Sequence, residues 1–107
     1  MNPYIRSYSA IAQDPELSPV ELLEMLRLRD EIQASQDSDD LSSFDLDTLS
    51  AADLLLFEQA DLFATSLSSL VDLERERSQF NIPARRWWWF LDVIRHVPSR
   101  SQRSLAL

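Results

Sequence analysis

Not one of the 107 residues is glycine. Glycine is the residue that reaches left-handed backbone without steric cost. The two-residue hairpins that join antiparallel strands depend on such backbone. A chain without glycine is therefore poorly suited to an all-β fold, and its helices must end on asparagine, on proline or by fraying. This one absence disfavours an all-β protein before any periodicity is read.

Periodicity agrees. The opening "NPYIRSYSAIAQ" predicts a helix over residues 3–13, with Asn2 as its cap, Pro3 in its first turn and Tyr4, Ile5, Tyr8, Ile11 and Ala12 on one face. Asp14 and Pro15 break it. A second helix is expected over 19–34, where Ser18 caps, Pro19 takes the first turn and Glu21 closes a capping box. Its apolar residues, from Val20 to Ile32, wrap beyond a single stripe, which predicts burial on two sides.

A third helix is expected over 51–78, opening at Leu49-Ser50 as the second opens at Leu17-Ser18. Both starts place an acid three residues after the serine, which reflects shared start grammar rather than an internal repeat. Leu56, Ala60, Phe63, Leu67 and Leu70 step by four and three residues, a coiled-coil-like seam. If straight, such a helix spans about 42 Å, whereas a compact globule of this length is about 34 Å across. It must bend near Ser66, Ser68 and Ser69, or overhang and pair with a second copy, so a homodimer through this helix is expected. The last helix is placed over 83–96, stopped before Pro98. The expected fold is thus an all-α bundle of about four helices in one domain over 1–98. An acidic loop over 35–47 and a mobile basic tail over 99–107 complete it.

The net charge of −8 is laid out in blocks. Residues 1–29 balance to −1, residues 30–74 hold twelve acids and no base, and residues 75–107 balance to +5. The blocks attract one another, within a chain or between copies. Net acidity disfavours duplex DNA, whose binding rests on phosphate neutralisation. No basic-then-apolar leader and no apolar run near the length of a spanning helix is visible, which makes a cytoplasmic protein the expectation.

Catalytic chemistry finds little to work with. There is no cysteine, no lysine and no glycine, so thiol nucleophiles, thiolate metal sites and the P-loop are excluded. An EF-hand counted from Asp37 would need glycine and an acid where Ser42 and Thr48 stand. His96, the single histidine, follows Asp92 by one helical turn. A hydrolase would still need a nucleophile turn and an oxyanion hole, and glycine-free sequence provides neither motif. The chain reads as a non-enzyme with no metal and no cofactor.

That leaves "ARRWWWFLDVIRH", Ala84 to His96, where all three tryptophans stand in a row. Successive residues on an α-helix diverge by about 100°. On such a helix Trp87 joins Phe90, Leu91 and Ile94 on the apolar face, Trp89 falls on its border, and Trp88 lies among Arg85, Asp92 and Arg95. Tryptophan and arginine are enriched in binding hot spots. Trp88, Trp89, Arg85, Arg86, Asp92 and Arg95 are accordingly the expected docking surface for another protein. Trp88→Ala is then expected to spare the fold and abolish binding. The leading function is an adaptor, regulator or assembly factor. "RRWWWF" also resembles the arginine–tryptophan clusters of short cationic membrane-active peptides over six residues, which implies attachment to a membrane surface but no family. Contact of the arginine-rich end with single-stranded nucleic acid, through indole stacking, is the third alternative.

Overall fold

The computed structural model describes residues 2–14 and 16–95 of the protein. Every regular element among them is helical: α1 (Pro3–Ala12), α2 (Pro19–Asp37), α3 (Ser43–Glu58), α4 (Ala60–Leu67), α5 (Leu73–Phe80), a 3-10 turn (Trp87–Phe90) and α6 (Leu91–Ile94). The all-α class is as expected, but the expected bundle of about four helices is not: six α-helices and the 3-10 turn share the described residues. The tail expected over 99–107, together with His96 and Val97, lies outside the described residues.

The first two helices form where capping chemistry places them. The Asn2 carboxamide accepts the N–H groups of Tyr4 at 2.8 Å and Ile5 at 3.2 Å, satisfying donors that the first turn leaves unpaired. Ile5, Tyr8 and Ala12 are its buried face. In α2 the Ser18 hydroxyl accepts the Glu21 N–H at 3.3 Å and donates to the Glu21 carboxylate at 3.0 Å. Leu22, Met25, Leu26, Arg29 and Ile32 form the inner face of α2, which contacts α1, α4 and the 3-10 turn.

The third element corrects the sequence reading twice. First, the acidic segment 35–47 is not a loop. α2 runs on to Asp37, and α3 already starts at Ser43, so only residues 38–42 are non-helical. The reason is a second start signal, Ser42-x-x-Asp45, eight residues upstream of the one at Ser50. Ser42 Oγ accepts the Asp45 N–H at 3.0 Å and the Asp45 carboxylate accepts the Ser42 N–H at 3.4 Å, a complete capping box. Asp45 also accepts the Asn2 N–H at 3.1 Å, which ties the start of α3 to the start of α1.

Second, there is no helix over 51–78. α3 ends at Glu58, α4 follows after Gln59, and α4 stops where the Ser68 and Ser69 hydroxyls donate back to the carbonyls of Thr65 and Ser66 at 2.7 and 2.9 Å. Asp72 then caps α5 by accepting the Arg75 N–H at 3.2 Å. The seam is used inside the chain: Leu56, Ala60, Phe63 and Leu67 are buried, and Leu70 is 46% exposed at the turn. With the helix broken, the overhang on which the homodimer expectation rested is gone.

Two positions take the left-handed backbone that glycine would otherwise provide, Asp39 (φ 58°) and Asn81 (φ 53°). Asn81 ends α5, and its N–H and that of Ile82 both donate to the Arg77 carbonyl. Aspartate and asparagine are the side chains that tolerate this region best.

The final segment departs most from expectation. Residues 83–96 do not form one α-helix. A turn closed by the Arg86 N–H on the Pro83 carbonyl at 3.0 Å leads into the 3-10 turn, and only Leu91–Ile94 is α-helical. In a 3-10 turn successive side chains diverge by about 120° rather than about 100°. The α-helical spacing by which the tryptophans were sorted does not apply.

Candidate interaction surface

Trp88 is 1% exposed and Trp89 is 6% exposed, while Trp87 is half-buried. The expected order is inverted: the indole assigned to the surface is the deepest of the three. Both buried indoles converge on Asp30 of α2. Trp88 Nε1 donates to Asp30 Oδ1 at 2.8 Å, and Trp89 Nε1 donates to Oδ1 at 3.0 Å and to Oδ2 at 3.2 Å. A buried indole N–H without an acceptor is costly, and here one carboxylate satisfies two. Arg86 Nη1 approaches the same carboxylate at 3.6 Å.

Beneath the Trp88 ring lies Arg29, its guanidinium carbon 4.3 Å from the ring centroid. Arg29 is itself buried and holds Asp53 through two bonds, Nε to Oδ1 at 2.9 Å and Nη2 to Oδ2 at 3.0 Å. Its third nitrogen donates to Gln33 Oε1 at 3.1 Å. The Tyr8 hydroxyl donates to Asp53 Oδ1 at 2.7 Å. Burial, and then the Asp53 charge beside it, pushes the Tyr8 phenol far above its ordinary pKa, so it stays a donor. Asp53 is thus not the capping acid of a helix start at Ser50 but the interior partner of Arg29, joining α1, α2 and α3. A signal for this was present in the sequence. Arg29 stands at the buried period of Leu22, Leu26 and Ile32, where a charge needs an opposite one.

The expected docking residues divide. Asp92 pairs with Arg77, whose Nη2 donates to Oδ2 at 3.1 Å, and Arg77 lies over the Phe90 ring at 4.6 Å. Arg95 turns to α4, meeting Asp61 at 2.6 Å and Thr65 Oγ1 at 3.0 Å. Neither is hydrogen-bonded to Trp88, whose N–H goes to Asp30. Arg85 and Arg86 remain together, with Trp89, in the wall of a groove of about 590 Å³ between α2 and the connection from α5 to the 3-10 turn. Arg27 of α2, Phe80, Ile82 and Pro83 complete its surface, and Asp30 and Glu76 also line it. Arg27 and Arg85 are exposed and form no ion pair with a described residue, and Phe80 is 62% exposed. Arg27 escaped the sequence reading because it lies far from the tryptophans along the chain, and Phe80 because it ends a separate helix, α5.

The membrane and single-strand readings draw on the same indoles, of which Trp88 is buried, Trp89 shows only an edge in the groove and Trp87 is half-buried. No helix among the described residues is long and apolar enough to cross a membrane. No group of three or more His, Cys, Asp or Glu among them could hold a metal ion. Compared with known proteins, the chain matches no family model, no curated sequence and no solved structure. Its function is read from its own geometry.

Proposed function

We propose that the chain is a non-enzymatic protein–protein interaction module, and that it docks an acidic segment of another protein in the groove between α2 and the α5–3-10 connection. The observation that carries this reading is the groove mouth. Two exposed arginines, Arg27 and Arg85, stand there without acidic partners among the described residues, beside the outward-facing Phe80. In a chain of net charge −8, a concave surface with three arginines against two acids, Asp30 and Glu76, and an apolar wall selects partners by charge and shape. The partner's carboxylates would meet Arg27, Arg85 and Arg86, and an apolar side chain would cover Phe80 and Pro83. The docking surface proposed from sequence is thereby revised: Arg85, Arg86 and the edge of Trp89 are retained, and Trp88 becomes their support.

A fluorescein-labelled peptide alternating glutamate with leucine and phenylalanine tests it by anisotropy, against the same peptide with lysine in place of glutamate. Binding of the acidic peptide should weaken about tenfold or more in Arg27→Glu and in Arg85→Glu, with the melting temperature unchanged. Equal binding of both peptides, or no loss on charge reversal, rejects the groove.

A further inference from the structure

A second surface is built around the indole that Asp30 does not hold. Trp87 is half-buried, and its N–H donates to no described residue. Its ring meets Phe57 of α3 edge-on, centroids 6.2 Å apart and planes at 67°. Phe57 is 42% exposed, and Leu54, one turn earlier on the same helix, is 56% exposed. Single exposed apolar side chains are ordinary; an aromatic pair continuous with a leucine marks a contact surface. α3 buries only the side that carries Asp45, Leu49, Ala52 and Leu56. Its remaining sides bear Asp47 and Glu58, both exposed, and every ionisable residue from 30 to 74 is an acid. On the α3 side the apolar anchor therefore sits in a field of acids alone, and Arg85 and Arg86, which precede Trp87, line the arginine groove instead.

We infer that Leu54, Phe57 and Trp87 anchor a basic amphipathic helix of a partner protein. Its apolar face covers the three side chains, and its lysines or arginines face Asp47 and Glu58. The sign of the field selects this occupant: an acidic helix is repelled, and a neutral one strips water from the carboxylates without compensation. Buried aromatic anchors carry the affinity, and the charges set orientation and association rate. The Trp87 N–H, which donates to no described side chain or carbonyl, is available to donate to the incoming segment in place of solvent. The surface is separate from the arginine groove, which uses Trp89, and either can hold if the other fails.

The test titrates the full chain, labelled with nitrogen-15, with an amphipathic helical peptide of leucine and lysine and with its leucine–glutamate counterpart. The basic peptide should bind and move the Trp87 indole N–H resonance while those of Trp88 and Trp89 stay in place. Phe57→Ser and, separately, Leu54→Ser should each weaken binding about tenfold. Leu54 is exposed enough that its replacement leaves the fold intact. Shifts spread over the acidic residues with Trp87 unmoved would show non-specific charge attraction and overturn the inference. So would binding unchanged in Leu54→Ser. A solution mass of twice the chain that Phe57→Ser halves would assign the face to a second copy and reject a basic partner helix.

Discussion

Asp30 accepts two indole N–H groups and lies within 3.6 Å of Arg86, so Trp88 is fixed at its polar edge as well as by its apolar ring. Trp88→Ala would open a cavity beside Arg29 and remove one of these bonds. Truncating a buried tryptophan costs about 3–5 kcal/mol, a large part of the stability of a domain this size. Chemical denaturation should show that loss; a variant of wild-type stability would mean that the ring is not interior. This reverses what the row of tryptophans suggests when read as an α-helix. Part of the proposed interaction surface was legible in the sequence, in that Arg85 and Arg86 line a groove. The orientations were not, because they depend on Pro83 to Arg86 forming a turn and on the tighter pitch that follows. Tertiary partners on α2 decided which indole went inside.

Helix starts compete, and α3 shows which serine wins. Ser42-x-x-Asp45 and Ser50-x-x-Asp53 satisfy the same local rule, but only the first also lets Asp45 reach Asn2 and frees Asp53 for Arg29. Ser42→Ala should cost about 1 kcal/mol, whereas Ser50→Ala, on an exposed mid-helix position, should be neutral or slightly stabilising. Equal losses in urea titrations would contradict the assigned start. The cap also carries a pH signature. The Asn2 N–H, assisted by Ser42, holds the Asp45 carboxyl below the ordinary aspartate value. A carboxyl lowered on folding stabilises fully above its unfolded pKa of about 3.9, and that share vanishes as pH falls through the folded value. The stability gap between wild type and Asp45→Asn should therefore be widest near neutrality and shrink below about pH 4. A gap that widens on acidification would refute it. The starts of α1 and α2 were readable because a single cap preceded each. The break after Leu67 was legible only as one of two alternatives, a bend at Ser66, Ser68 and Ser69, and the break after Glu58 was not, since neither glycine nor proline marks it.

The charge blocks of the sequence meet within the folded chain. Arg86 reaches Asp30 and Arg95 reaches Asp61, while Arg29 holds Asp53, so the acidic middle is clasped from both sides. One hydrophobic cluster runs from Ile5 of α1 through α2, α3 and α4 to Leu91 of α6. Elements that share a core melt together. Far-UV circular dichroism, dominated by α2 and α3, and indole emission, confined to residues 87–89, should give coincident thermal transitions. An emission change well ahead of the helical signal would show the C-terminal segment detaching on its own.

The carboxylate between the two indoles also makes the molecule its own sensor. Tryptophan emission responds to nearby charge, and Asp30 lies in the wall of the arginine groove with Arg86 beside it. An anion that draws Arg86 toward itself leaves the Asp30 charge less compensated next to both rings. Occupancy of the groove should then be visible as a change in intrinsic fluorescence without any attached dye, and absent in Arg86→Gln.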